Sequence, residues 1–228
     1  MTRIGGKPAP AAGAPSSMSI APTRKALAGR PSAKIYRISN VRNRLLDSAV
    51  AELEGQGPHH LNLRAIAARA GVAPSTVYYH YKNKEDLLGW LAQAGFEALR
   101  AAMAEAADDP RNPSQLQGAL RAYVSFARHR PQLYQLMYMI HDRGELQPVL
   151  GSEHAAFTEM ARAVAHVGGG RYPQETVNDV STAIWAAGRG IAALALTATN
   201  ASESERSATI RQAMRGLEFL TIGRRAAN

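Results

Sequence analysis

Ser75, Thr76, Tyr78, Tyr79, His80 and Lys84 place two hydroxyls, two phenols, an imidazole and an amine within ten residues of chain. Hydroxyls and phenols near a helix N-terminus hydrogen-bond phosphate oxygens, while aromatic rings and small side chains reach base edges and thymine methyls. Such a set suits the major groove of DNA, provided that one short helix turns all of it outward.

The surrounding residues supply that helix. Leu63, Ile66, Ala67 and Ala70 recur at helical spacing behind Asn62, a suitable N-cap, with Arg64 and Arg69 on the opposite face. Gly71 takes the left-handed conformation that reverses the chain, and Val72 plugs the corner. Pro74 suits the first position of a second helix, and Val77 with Tyr81 turns inward. Three rings at Tyr78, Tyr79 and Tyr81 cannot share one helix face, so Tyr81 is expected to be buried and at least one other exposed. Arg64 and Arg69 serve equally as solvated cations; Arg64, near the helix N-terminus, is the better contact.

Through Ile66-Ala67, Ala70-Gly71-Val72, Thr76-Val77-Tyr78-Tyr79-His80-Tyr81, Lys84 and Leu87-Leu88 the chain resembles the TetR family of one-component repressors. The resemblance covers residues 38–90. It implies that Arg64, Pro74, Ser75 and Tyr79 approach bases, and that Asn62, Thr76, Tyr78, His80 and Lys84 grip phosphates. Ala73 departs from the serine or threonine common at its position, which removes a side-chain cap typically worth ~1 kcal/mol.

The net charge of +9 is confined to one end: residues 1–83 hold 12 Lys or Arg against 3 Asp or Glu, and residues 84–228 hold 15 against 15. A polyanion partner at that end follows, bound with an affinity that falls steeply with salt; anionic membrane headgroups satisfy the charge alone as well. Residues 1–35 are rich in Ala, Pro, Gly and Ser and are expected to be disordered, without a secretory signal. Arg24, Lys25, Arg30, Lys34 and Arg37 read either as a solvated tail or as an arm adding phosphate or minor-groove contacts.

Apolar spacing predicts a first helix from about Ser39 to Glu54, ended by Gly55, Gly57 and Pro58. A long helix capped by Asn83 then runs to about Ala107. Beyond Asp108-Asp109-Pro110 the pattern stays helical. Pro131 opens a short helix, Pro148 and Gly151 break the chain, and a helix runs from Ser152 to about Val167. Gly168, Gly169, Gly170 and Pro173 interrupt, before helices over Gln174–Thr199 and Glu203–Ile222. The expected fold is all-α, with about nine helices. Its parts are a basic extension (1–35), a three-helix helix-turn-helix domain (36–90) joined by the connecting helix, and a larger ligand-binding and dimerisation domain (91–228).

The segments FARHRPQLYQLMY and AIWAAGRGIAALAL resemble the C-terminal domain of a TetR subgroup with a Trp-His-Gly signature; Trp185 and Gly190 match, but Arg189 stands where that signature has His. In the family the last two helices form a four-helix bundle with a second subunit. Ala183, Ala186, Ala187, Gly190, Ala193 and Ala195 allow close approach, and Ile184, Ile191, Leu194, Met214, Leu217 and Leu220 supply apolar area, although an intramolecular core would use the same residues. Two-fold pairing suits DNA reading, because one recognition helix alone is a weak reader. The family resemblance also places an effector pocket between the connecting and middle helices. Phe96, Leu99, Met103, Tyr123, Phe126, Tyr134, Met137, Tyr138, Phe157 and Met160 would form its walls, with Trp185 beside them, and Tyr123, Tyr138 and Arg189 would orient a polar group.

No cysteine is present, so thiol catalysis, thiolate metal sites and disulfides are excluded. The seven histidines lack helical zinc spacing, and Gly168-Gly169-Gly170 lacks the lysine and strand of a phosphate loop, so neither an enzyme nor a cofactor or metal is expected. The apolar run Ala183–Ala198 is interrupted by Arg189 and is too short to span a membrane. The reading is a cytoplasmic, homodimeric, sequence-specific transcriptional regulator, a repressor released from operator DNA by a small molecule. The alternatives are a ligand-independent DNA-binding protein, or an all-α small-molecule-binding protein whose helix-turn-helix is without function.

Overall fold

A computed structural model describes residues 33–144, 146–197 and 202–222. Among these residues the chain forms nine α-helices and no strand: α1 (Ala33–Gln56), α2 (Leu63–Ala70), α3 (Pro74–His80), α4 (Lys84–Asp108), α5 (Gln115–His129), α6 (Pro131–His141), α7 (Gln147–Gly168), α8 (Gln174–Thr197) and α9 (Glu203–Ile222). The all-α architecture with an N-terminal helix-turn-helix is as the sequence predicts. Residues 1–32, with most of the basic extension, lie outside the described residues.

Helix α1 presents Leu45, Ala49, Val50 and Leu53 to α2, and Ile66 and Ala67 answer them, all fully or almost fully buried. Each such leucine or isoleucine stabilises by roughly 2 kcal/mol. The helix is longer than its predicted span of Ser39 to Glu54. Gly55 lies within it, and Gly57, at φ +76°, ends it by donating its N–H to Leu53 O at 2.8 Å.

Helix α4 is the shared wall of the molecule. Its first turn follows the recognition helix, and the rest packs against α5, α6 and α7. At Gly118 of α5 a Cβ would collide with the Ala106 carbonyl oxygen, so the two helices approach as closely as they do only because that side chain is absent. Helix α7 begins at Gln147, not at Ser152. Proline costs little in the first turn, where its missing N–H has no intrahelical partner, and Gly151 meets no neighbour and is carried within the helix. Helices α8 and α9 pack on each other, with α8 also against α5 and α7.

Candidate nucleic-acid interface and effector site

Asn62 Oδ1 accepts the N–H groups of Arg64 at 2.9 Å and Ala65 at 3.3 Å and so opens α2. Gly71, at φ +65°, closes it: its N–H donates to Ala68 O at 3.1 Å, and the Val72 N–H donates to Ala67 O at 3.0 Å. That pair of bonds is a Schellman reversal, which directs the chain into α3. Ala73 offers no side-chain cap and Pro74 takes the first turn of α3, as expected.

Val77 and Tyr81 are each 1% exposed, while Tyr78 and Tyr79 are 59% and 78% exposed. The inward pair therefore holds the helix, and the outward pair faces water, with Tyr79 meeting the His80 ring edge-on at 5.2 Å between centroids. Ser75 is exposed, whereas Thr76 and His80 are half-buried. Burial first, and the Arg42 charge second, hold the His80 imidazole below its ordinary pKa. Arg64 is exposed with no carboxylate partner among the described residues, but Arg69 reaches Glu52 at 4.0 Å. Lys84 Nζ donates to His59 O at 2.9 Å, tying the start of α4 to the α1–α2 loop and leaving two further N–H donors. Asn83 Oδ1 accepts the Asp86 N–H at 2.7 Å, and Asp86 Oδ2 accepts the Lys82 N–H at 2.9 Å, a reciprocal cap that sets the loop after α3.

The second domain gathers its polar groups in a ring cluster. Tyr123 on α5 shares hydrogen bonds with the hydroxyls of Tyr134 at 3.0 Å and Tyr138 at 2.8 Å, both on α6. Trp185 of α8 meets Tyr123 edge-on at 5.1 Å, Phe157 of α7 meets Trp185 at 5.8 Å, and Phe96 of α4 meets Tyr138 at 5.4 Å between centroids. The Arg189 guanidinium carbon lies 4.0 Å from the centre of the Tyr138 ring, and its Nη2 reaches Asp142 Oδ2 at 3.3 Å. Burial above all pushes the three phenols up, so they stay protonated donors. Leu99, Met103, Met137 and Met160 are fully or almost fully buried, and Phe126 is 8% exposed; these residues pack the core around the cluster. A cavity of about 450 Å³ lies elsewhere, at the start of α4 beside the α6–α7 loop, lined by Leu88, Trp90, Ile140, Leu146 and Val149 among others. None of the residues expected to form an effector pocket lines it.

Residues 45–89 match the family described as bacterial regulatory proteins, tetR family, and residues 116–217 match the tetracyclin repressor-like C-terminal domain. The chain belongs to the TetR family. A protein with unknown function from Rhodococcus sp. RHA1 is 30% identical and aligns over 78% of this chain and 95% of its own, with a TM-score of 0.61. A TetR-like transcriptional regulator from the same source shares the fold at 20% identity and a TM-score of 0.55, over 82% of this chain and 97% of its own. The uncharacterized HTH-type transcriptional regulator YobS of Bacillus subtilis (strain 168) is 25% identical over 108 residues, 47% of this chain. This chain spans about half of that relative's length, 56%.

Two contacts of this TetR-family chain escape its motifs. Glu54, at the end of α1, accepts the Gln132 N–H at 3.2 Å and the Leu133 N–H at 3.0 Å, capping α6 from a different part of the molecule. Burial pushes its carboxyl up, against the lowering effect of those two N–H groups and of Arg130. Arg42 of α1 lies 3.6 Å above the ring of Trp90 on α4. An acidic residue at a helix C-terminus is electrostatically out of place, and that is the one hint the sequence offers for Glu54. Among the described residues no group of three or more His, Asp or Glu converges as a metal ion requires, and no helix is long and apolar enough to cross a membrane.

Proposed function

We propose that this TetR-family chain is a homodimeric cytoplasmic repressor that reads operator DNA through residues 36–90 and is released by a small molecule bound within residues 91–228. The observation that carries the reading is the exposure of Tyr78 and Tyr79 on a helix fixed by buried Val77 and Tyr81. Exposed large aromatics contribute little to folding, and here Arg64 and Ser75 are exposed as well. Arg64, Pro74, Ser75 and Tyr79 are assigned to bases, and Asn62, Thr76, Tyr78, His80 and Lys84 to phosphates.

Dimerisation through α8 and α9 is supported by exposed Ala183, Ala186, Gly190 and Leu194 on α8 and Phe219 on α9, 74% exposed. Ile184, Ile191 and Met214, expected at the seam, are buried within the single chain, so the large apolar side chains left to support a seam are Leu194 and Phe219. The side chain of Leu220 lies outside the described residues.

Release follows two routes from α6 to the reading head. One is the packing of α6 on α4, whose first turn carries Lys84; the other is Glu54, whose carboxylate ties the α6 N-terminus to α1. An effector that shifts α6 relaxes both, changing the spacing of the paired recognition helices by population shift. The test is titration of the chain against DNA flanking its own coding region at two salt concentrations. Binding confined to a palindrome and lost in Tyr79→Ala and Thr76→Ala sustains the proposal. Weak, sequence-indifferent binding that ignores both changes would favour the reading in which the helix-turn-helix is without function.

A further inference from the structure

The cavity between the start of α4 and the α6–α7 loop lies where the two domains meet. Its volume of about 450 Å³ is within the range of small-molecule sites, and its apolar walls come from both sides. Leu88 and Trp90 of α4 form one wall; Ile140 of α6, Leu146 of the following loop and Val149 of α7 form the other. Ile140 and Val149 are buried, but Leu146 is 38% exposed, a large apolar side chain left in contact with water. Gly89 allows Leu146 to lie so near α4, because a Cβ there would come within 2.8 Å of Leu146 Cδ1.

The polar groups around the cavity set the chemistry of an occupant. Lys82 and Arg143 line it together with Glu85 and Asp86, two charges of each sign. An ion of either sign therefore meets no net attraction there, and it gives up hydration to apolar walls. Gln93, half-buried in the lining, donates its Nε2–H to Glu97 Oε1 at 3.2 Å, which leaves its amide oxygen without a donor among the described residues. A hydroxyl on a ligand would supply one. Trp90 adds an aromatic wall, one face of which already carries the Arg42 guanidinium at 3.6 Å.

We propose that this cavity binds an uncharged, hydroxyl-bearing aromatic molecule, with its ring against Trp90 and its hydroxyl on the Gln93 amide. The ligand then lies at the border of the second domain with the first, rather than among the packed rings. Asn83 and Asp86, whose reciprocal cap sets the chain after α3, line the same cavity, and Trp90 connects it to Arg42 of α1. An occupant bears on both walls and alters their spacing, and only Tyr81, Lys82 and Asn83 separate α4 from the recognition helix. That consequence for DNA rests on the proposed release by a small molecule, whereas the binding itself does not.

The experiment uses the full chain carrying Trp185→Phe, which leaves Trp90 as the single tryptophan, in the cavity wall. Its emission is followed on titration with para-cyclohexylphenol, with the methyl ether para-cyclohexylanisole, and with para-cyclohexylbenzoate and para-cyclohexylbenzylammonium as ions of each sign. The phenol is expected to shift Trp90 emission saturably, with each ion about tenfold weaker or worse. Gln93→Met removes the amide and keeps the length of the side chain, so it should lower the phenol to the affinity of its ether. Gly89→Leu, which adds bulk beside Leu146, should weaken phenol and ether alike by about tenfold, with the thermal midpoint measured alongside to show that the chain is folded. No saturable shift with the phenol, an ion that binds as tightly, or a phenol affinity unmoved by Gln93→Met overturns the proposal. Operator titrations separate it from release: phenol binding that leaves operator affinity unchanged sinks release and keeps the site, whereas release by the phenol that survives both Gln93→Met and Gly89→Leu keeps release and sinks the site.

Discussion

The reading head and the ring cluster solve opposite problems with the same residue type. Tyr78 and Tyr79 lie on a seven-residue helix and point into water, whereas Tyr123, Tyr134 and Tyr138 come from two helices and are sealed within five. The outward pair is available to a partner at almost no cost to folding. The inward trio holds the core together. Under the proposed release by a small molecule, this division keeps the deformable part apart from the part that reads.

The sharpest way to break the comparison is to truncate one tyrosine on each side. Tyr123→Ala should destabilise the chain by ~3–5 kcal/mol through the cavity and the lost hydroxyl contacts, with a clear fall in thermal midpoint. Tyr79→Ala should leave that midpoint almost unchanged and abolish specific operator binding. A large loss of stability in Tyr79→Ala, or none in Tyr123→Ala, would erase the distinction.

Glu54 lies between the two regions, and Glu54→Ala should cost ~1–3 kcal/mol, since two partly buried N–H groups lose their acceptor. The companion variant Glu54→Gln keeps an acceptor oxygen and should recover much of that loss in chemical denaturation. Equal destabilisation by both changes would show that charge, not the hydrogen bonds, makes the contact.

At the reading head, Arg64→Ala should lower operator affinity by ~1–3 kcal/mol if the residue reads a base, and relax selectivity at one position of each half-site, measured with single-base operator variants. A uniform loss across all variants, with a salt slope reduced by about one, would assign it to phosphate instead.

The smallest effect concerns pH. The His80 pKa is lowered in the folded chain, so the imidazole is neutral at pH 7. As pH falls through its folded value it gains charge; operator affinity should rise over that interval, because a phosphate stabilises the imidazolium. The sign for folding is the reverse: the unfolded chain takes up the proton first, so stability falls as pH drops from about 6.5 toward the folded value. Operator titrations across that range with His80→Gln alongside should show a flatter profile for the variant.

The reading head was legible because everything that builds it is local. The Asn62 cap, the Gly71 reversal and the Val77–Tyr81 pair act over two to five residues, and each occurs where its spacing predicted. Helix α7 shows the limit of that local grammar. Pro148 and Gly151 read as breakers, but their effect depends on whether a helix is beginning or ending, and packing against α4 decides that it begins. Likewise, Ile184, Ile191 and Met214 have the hydrophobicity that either a seam or a core requires, and only the positions of the neighbouring helices assign them to the core.

The amino-acid order alone determined a helical chain of the TetR family, its charge asymmetry and an outward-facing recognition helix, since periodicity, capping and turn chemistry are properties of near neighbours. Tertiary structure alone decided that Glu54 caps a helix 78 residues away, that Arg189 pairs with Asp142 47 residues before it, and that three tyrosines share two hydrogen bonds. Those contacts form because burial removes water and leaves each polar group only the partners that folding brings within reach.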